Sequence, residues 1–388
     1  MCGIFGVTGL PDAARLVYMG LYALQHRGQE SAGIVAIDDD DIARAHRGMG
    51  LVADVFGAET LKGLRGSVAI GHTRYSTTGS SVLANAQPGL VNYHSGPLAL
   101  AHNGNLTNAA SVREDLVRQG SIFQSSSDSE VLVHLIARSD ARRIEDQILD
   151  ALERVEGAYS LVMTVGRTLY AIVDPRGFRP LILGKLGDGF VIASETCALD
   201  ILGAHPVREL QPGEWLKIED DRIVDLPPLP ARPHRRCVFE LIYFSRPDST
   251  IFGQSVDRVR RTLGRHLARE HPAPGADCVF SVPDSANAMA LGYAEESGIK
   301  LEYGIIRNHY IGRTFINPGQ ATRVANVRIK FNPVREVIDG RCCVVVDDSL
   351  VRGTTSRELV HMLRQAGARE VHFRVASHPI TGDRKSVV

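Results

Sequence analysis

The chain begins MCGIFGV, and the small side chain at position two permits removal of Met1. Cys2 would then carry both a thiol and a free α-amino group. An α-amine titrates at about 8 and a thiol at about 8.5, so the amine can take the thiol proton, directly or through water, near neutral pH. The plainer alternative is a small buried cysteine at the start of a strand. Three further polar clusters fall at the ends of strand-like runs or the starts of helix-like ones: HTRYSTTG (72–79), HNGNL (102–106) and SDSE (127–130). Arg74 offers a planar fork for an α-carboxylate and Asp128 a charge for an α-ammonium, a pair that would clamp a free amino acid. The side-chain amide of Asn103 and the backbone N–H of Gly104 can donate to the oxyanion formed when a thiolate attacks a carboxamide. Each has an alternative: Asn103–Gly104 as a hairpin turn, Arg74 as a surface ion pair, Asp128 as a helix cap.

A second constellation lies in VVVDDSLVRGTTS (344–356). A buried strand delivers Asp347 and Asp348 to its C-terminal end, where open α/β sheets bind ligands. A Gly-Thr-Thr turn then opens a helix whose free N–H groups can hold a phosphate. Paired acids beside a phosphate cradle suit a sugar phosphate: the carboxylates accept from ribose hydroxyls and help hold Mg²⁺, while Ser349, Arg352, Gly353, Thr354 and Thr355 surround the 5′-phosphate. Ser285, in the strand-to-helix turn VPDSANAMA (282–290), could meet pyrophosphate or its metal. From Tyr303 to Arg335 there is no acidic residue, but there are Arg307, Arg313, Arg323, Arg328, Lys330 and Arg335. With Gly312, Pro318 and Gly319 among them, the stretch reads as a mobile loop closing over pyrophosphate, in preference to a solvated face or a nucleic-acid arm.

The elements that must position these groups divide at DLPPLPARPHRR (225–236), whose four prolines mark a connection near Ala231. Domains of 2–231 and 232–388 follow. The first has strand-like runs at 67–76, 97–106, 158–165, 168–174 and 189–194, with helical stretches at Ser111–Gln119 and Asp128–Ala137; this is an α+β pattern. In the second half, strands at 278–283, 301–308, 341–348 and 372–377 alternate with helices, one carrying Val256, Val259, Leu263 and Leu267 on one face, another at Ser356–Gln365. That rhythm implies a parallel α/β sheet covered on both faces. Lys+Arg and Asp+Glu number 44 each, so no overall field draws the chain to nucleic acid or a membrane surface. With no signal-like leader and no apolar run of about 20 residues, a cytoplasmic protein with reduced thiols is expected. Cys197 and Cys278 read as core residues and Trp215 as a packed strand residue.

MCGIFGV, LQHRGQESAGI (24–34), GHTRYSTTG, HNGNL and SSDSE, in that order, resemble the class II glutamine amidotransferase domain of the N-terminal-nucleophile hydrolases. The resemblance implies a four-layer αββα fold that releases ammonia from glutamine. Cys2 would be the nucleophile and Asn103 with Gly104 the oxyanion hole. Arg74, Thr77 and Asp128 would hold glutamine, and Arg27 and Gly28 would lie in the loop lining the pocket. The 344–356 string resembles the phosphoribosyl pyrophosphate (PRPP) signature of type I phosphoribosyltransferases. Both halves together, with CVFELIYFSRPDS (237–249) and NHYIGRTFINPGQATR (308–323), resemble the amidophosphoribosyltransferase family. That likeness implies synthesis of 5-phosphoribosylamine from PRPP and glutamine, the first committed step of purine synthesis. It further implies Mg²⁺ on Ser285, Asp347 and Asp348, PRPP contacts from Arg307 and Tyr310, with Tyr310 also lining an ammonia channel, purine nucleotides as inhibitors, and a homotetramer. Relatives continue for roughly another hundred residues, so the second domain is expected to be shortened at its C-terminus. Cys237 matches the first ligand of the family's [4Fe–4S] cluster, but four thiolates are required and Cys342 and Cys343 fall inside a strand. The rival readings are a PRPP- or nucleotide-sensing relative without turnover, a glutaminase serving another acceptor, and an inactive shortened product.

Overall fold

The structure, a computed structural model, describes residues 2–76, 80–308, 327–350 and 353–379. They form two compact units. One runs to Cys237 and takes in Thr250–Gly253; the other holds Val238–Ser249 and the chain from Gln254.

The first unit opens on β1 (Gly3–Thr8), α1 (Ala13–Ala23), β2 (Ser31–Ile37), β3 (Ala43–Met49), α2 (Val52–Val55), α3 (Ala58–Gly63) and β4 (Val68–Arg74). It continues through β5 (Gly89–Tyr93), β6 (Gly96–Leu106), α4 (Ala109–Arg118), α5 (Glu130–Ala137), α6 (Ile144–Glu153), β7 (Gly157–Val165) and β8 (Thr168–Val173). β9 (Ile182–Leu186), β10 (Gly189–Ala193), α7 (Cys197–Asp200), β11 (His205–Glu209), β12 (Trp215–Glu219) and β13 (Arg222–Asp225) follow. The strands make two sheets, ordered β11-β9-β10-β1-β4-β2-β3 and β13-β12-β8-β7-β6-β5.

Successive side chains on a strand face opposite ways, and here both faces are apolar. Ile4, Val35 and Ile70 of the first sheet meet Ala101, Val162 and Ala171 of the second in a layer between the sheets. The outer faces carry helices: Phe5 and Val7 pack with Val17 and Leu21 of α1, and Leu161 and Met163 with Val131, Leu135 and Ile136 of α5. This is the αββα stack. Fully burying each such aliphatic side chain is worth about 1.5–3 kcal/mol, enough in sum to hold polar groups inside the same layers. Trp215 is buried in β12, its indole N–H donating to Pro227 O at 2.7 Å.

The two-residue strand β14 (Thr250–Ile251) belongs to the first unit; the second contains β15 (Gln254–Ser255), α8 (Val256–Glu270), β16 (Cys278–Ser281), α9 (Asn287–Ser297), β17 (Ile305–Arg307), β18 (Phe331–Pro333), β19 (Cys342–Asp347), a helix at Thr354–Gln365 and β20 (Glu370–Val375). β16, β19 and β20 form a parallel sheet in the order β16-β19-β20. One face packs Phe280, Cys343 and Val345 against Leu359 and Leu363; the other packs Val279, Val344 and Val346 against Met289 and Tyr293 of α9.

Two expectations are corrected. The 301–308 run does not form one strand of the parallel sheet. Leu301 makes a single parallel bridge to Val279, and Ile305–Arg307 pairs antiparallel with Phe331–Pro333. Between them sits Gly304, where a Cβ would lie 2.4 Å from the Phe280 ring, so the chain passes over that ring without a side chain. On α8 the buried line is Val256, Arg260, Gly264 and Leu267, while Val259 and Leu263 are only half-buried. Arg260 sits inside because backbone carbonyls satisfy its fork: Nε donates to Leu241 O at 2.9 Å and Nη2 to Ser245 O at 2.7 Å. A Cβ on Gly264 would stand 1.9 Å from Met289 O, so α8 and α9 meet backbone to backbone.

Candidate active site

β1 begins beside the end of β4, with Gly3 opposite Thr73. Cys2, one residue earlier, is buried at 9% exposure. Its backbone N–H donates to Asn103 Oδ1 at 3.0 Å, and its thiol approaches Tyr75 O at 3.7 Å. Asn103 is fully buried, and its Nδ2 has no partner among the described residues. A buried amide donor left unsatisfied costs roughly 1–3 kcal/mol, which marks a place for an acceptor to arrive. Asn103 and Gly104 are not a hairpin turn: they lie within β6, opposite Ser160 and Tyr159 of β7. Gly104 is required there, since a Cβ would fall 1.9 Å from Ala158 O.

Arg74 closes β4 at 4% exposure, so it is no surface residue. Its Nη1 donates to Ser80 O at 3.1 Å and lies 3.7 Å from a Glu30 carboxylate oxygen. Asp128 is not the cap of α5, which starts at Glu130 without a side-chain cap; its Oδ2 accepts the Leu106 N–H at 2.9 Å, tying it to the end of β6. Arg27 is buried with its guanidinium on Cys2, Nε donating to Cys2 O at 2.9 Å. At Gly28 a Cβ would stand 2.5 Å from the Arg74 carbonyl carbon. Thr77 lies outside the described residues.

Sequence reasoning missed the groups behind these. His72 is fully buried; its Nε2 meets His102 O at 3.1 Å, and burial drops its pKa to about 3, keeping the ring neutral. His102 meets Ala158 O through Nε2 and Ser129 Oγ through Nδ1, and Ser129 Oγ accepts from Gln87 Nε2 at 3.0 Å. With a carbonyl at Nε2, that nitrogen carries the ring proton and Nδ1 accepts the serine hydroxyl. Both histidines stood inside the motifs, but nothing in the sequence assigned them work. Glu195 is likewise fully buried, its Oε1 taking Arg27 Nη1 at 2.5 Å and His26 Nε2 at 2.7 Å. Its only sequence cue is an acid within the apolar stretch VIASETCAL.

In the second unit the acids stand where the strand rule puts them. Asp347 ends β19 and Asp348 follows, accepting from Ser349 Oγ through Oδ1 at 2.5 Å. Burial, with the Asp348 charge beside it, pushes the Asp347 carboxyl up to about 7. Val282 N–H donates to Val346 O at 2.8 Å, so the turn holding half-buried Ser285 leaves from the same sheet edge. Gly353, at φ 71°, caps the Thr354–Gln365 helix, and Thr355 is exposed in its first turn. Arg307 ends β17 with Nη1 donating to the Asp284 carboxylate and Nε unpartnered among the described residues. Tyr310, Arg313, Arg323 and Arg352 lie outside the described residues, with the Thr354 side chain and the greater part of the basic loop.

The six thiols do not form a four-thiolate set. Cys278 and Cys343 face each other at 3.6 Å in the core of the second unit, while Cys342 lies on the other face of β19 against the Glu370 carboxylate at 3.8 Å. Cys2 and Cys197 are buried in the first unit, and Cys237, half-buried, donates its N–H to Phe178 O. No four of these thiols gather as the ligands of a [4Fe–4S] cluster would. Among the described residues one group of three donors, Cys342, Glu370 and His372, converges within 4.8 Å, at the end of β19 opposite Asp347.

A model of the glutamine amidotransferase domain matches residues 72–200. The chain is 50% identical over 380 residues to the chloroplastic amidophosphoribosyltransferase 2 of Arabidopsis thaliana, covering 98% of this chain and 68% of that protein. It is 49% identical over 380 residues to the amidophosphoribosyltransferase of Bacillus subtilis, covering 98% and 79%. A solved structure of the B. subtilis glutamine PRPP amidotransferase, in complex with ADP and GMP, superimposes with a TM-score of 0.92 at 48% identity, covering 98% of this chain and 83% of that one. With Cys2 on a buried amide in one unit and paired aspartates at the edge of a parallel sheet in the other, the chain belongs to the amidophosphoribosyltransferase family.

Proposed function

We propose that Cys2 is the nucleophile of a glutaminase whose ammonia displaces pyrophosphate from PRPP at the second unit. The overall reaction is PRPP plus glutamine and water giving 5-phosphoribosylamine, glutamate and pyrophosphate. The observation that carries the reading is the amide of Asn103, which takes the Cys2 N–H on its oxygen and keeps a buried donor unpartnered among the described residues.

Once Met1 is gone, the α-amine donates one N–H to Asn103 Oδ1 and turns its lone pair to the thiol. Cys2 Sγ attacks the side-chain carboxamide of glutamine while its proton passes to the amine. The oxyanion accepts from Asn103 Nδ2 and the Gly104 N–H, and collapse expels ammonia, protonated by the same amine. Water then cleaves the γ-glutamyl thioester to glutamate and returns the thiol. Arg74 and Asp128, both buried within reach of the strand ends, hold the α-carboxylate and α-ammonium, with Thr77 as a further glutamine contact.

At the second unit, Asp347 and Asp348 receive the ribose hydroxyls, and Ser349, Arg352, Gly353, Thr354 and Thr355 the 5′-phosphate; Arg307 and Tyr310 face pyrophosphate. Two adjacent carboxylates, one raised by burial and by its neighbour's charge, fit a divalent cation. Asp347, Asp348 and Ser285 would hold Mg²⁺, which when bound offsets the pyrophosphate charge. Purine nucleotides are the expected inhibitors, a reading supported by the ADP and GMP bound to the B. subtilis relative. No helix among the described residues is long and apolar enough to cross a membrane.

Cys2→Ala tests the division of labour: glutamine-dependent synthesis should vanish while synthesis from added ammonium persists. Equal loss of both would reject it.

A further inference from the structure

We infer that Glu195 is a positioning residue for the Cys2 nucleophile, acting through Arg27; the inference rests on Cys2 being that nucleophile. A residue at a chain terminus has no preceding peptide to fix it and frays unless tied down. Here the Cys2 N–H is tied to Asn103, and the Cys2 carbonyl is tied to Arg27 Nε at 2.9 Å. Arg27 is held in turn by Glu195, whose Oε1 takes Arg27 Nη1 at 2.5 Å and His26 Nε2 at 2.7 Å. Arg27 and Glu195 are both 0% exposed. A guanidinium so placed stays inside only with its carboxylate, because an uncompensated buried charge costs several kcal/mol.

The residue before Glu195 fastens the same segment. Ser194 N–H donates to Ile4 O at 3.2 Å, and Ile4 N–H donates to Ser194 Oγ at 3.0 Å. Ser194 and Glu195, just past β10, thus grip residues 2 to 4 at alternate positions. With its N–H and carbonyl both held, Cys2 keeps χ1 as its one free torsion, and the thiol swings over a fixed arc. Misplacing a reacting group by about 1 Å can cost a hundredfold in rate.

The test compares Glu195→Gln, Glu195→Asp, Arg27→Lys and the Glu195→Gln/Arg27→Lys double variant in the full chain. Glutamine hydrolysis is normalised to the folded fraction of each variant, read from its near-UV circular dichroism, so unfolded protein does not count. Glu195→Gln should lower kcat about ten- to a hundredfold with KM for glutamine within about twofold and ammonium-dependent synthesis intact. Glu195→Asp, which keeps the charge for Arg27 and protects the fold, should show a smaller loss of the same kind. The double variant should be no worse than the more impaired single one, since both cut one chain of contacts. Unchanged kcat in Glu195→Gln and Glu195→Asp, losses that multiply in the double variant, or a raised KM at normal kcat would each overturn the inference. Glutamine turnover by Cys2→Ala would instead overturn the nucleophile assignment beneath it.

Discussion

Asn103 meets Cys2 through its amide oxygen, which accepts the backbone N–H at 3.0 Å, and this contact fixes which end of the amide is left over. Nδ2 remains buried and unpartnered among the described residues, a donor waiting for charge that exists only when the carboxamide is attacked. Asn103→Asp keeps an acceptor for the Cys2 N–H and removes the donor. It should lower kcat for glutamine about 10²–10³-fold with little change in KM. Steady-state kinetics beside iodoacetamide labelling of Cys2 separates this from loss of the nucleophile; a KM effect alone would contradict it.

The buried imidazole of His72 predicts an acid limb in stability. Burial lowers its pKa to about 3 against an ordinary 6.5, so below 6.5 the unfolded chain binds a proton that the fold refuses. Its contribution is complete above pH 6.5 and is lost as pH falls toward 3, at about 1.4 kcal/mol per pH unit. His72→Gln should flatten the pH dependence of urea unfolding of the first unit between pH 6.5 and 4. An unchanged slope would rule out His72 as its source.

Much of this architecture was legible because period-two and period-four patterns report burial directly. A helix was expected over Asp128–Ala137, and α5 forms there with Val131, Leu132, Leu135 and Ile136 buried on it. The failures have specific causes. Asn103–Gly104 has the composition of a tight turn, but β6 runs on to Leu106 opposite Gly157, a pairing set by a strand more than fifty residues away. On α8 the helical period was right and Val256 and Leu267 are buried as expected, but the buried line runs through Arg260 in place of Val259, because carbonyls at 241 and 245 make a place for its fork. Glu195 was invisible for the same reason: its partner Arg27 lies 168 residues earlier, and only the fold joins them.

The raised Asp347 carboxyl carries the opposite sign from His72. Between its ordinary 3.8 and about 7, the fold holds a proton that the unfolded chain releases, so stability falls as pH rises through that window. Without metal, Asp347→Asn should raise Tm at pH 8 and leave it nearly unchanged at pH 4. Because Oδ1 still accepts the Asp348 N–H in the variant, the local turn survives. Synthesis should be lost with either nitrogen source, and turnover at the unaltered rate would remove Asp347 from the acceptor site.

Backbone contact between α8 and α9 leaves no room at Gly264, where a Cβ would stand 1.9 Å from Met289 O. Gly264→Ala should destabilise the second unit by more than about 2 kcal/mol, since overpacking forces the helices apart. Glutaminase activity of the first unit should persist. Calorimetry showing no change in the second unit's transition would mean that the crossing is looser than described.

The most direct test of a terminal cysteine nucleophile is the intact mass of chain that is actively hydrolysing glutamine, taken before and after one-to-one labelling at Cys2. The account predicts a chain lighter by its initiator methionine, with a free amine on the labelled cysteine. Full glutamine turnover by protein that retains Met1 would contradict it.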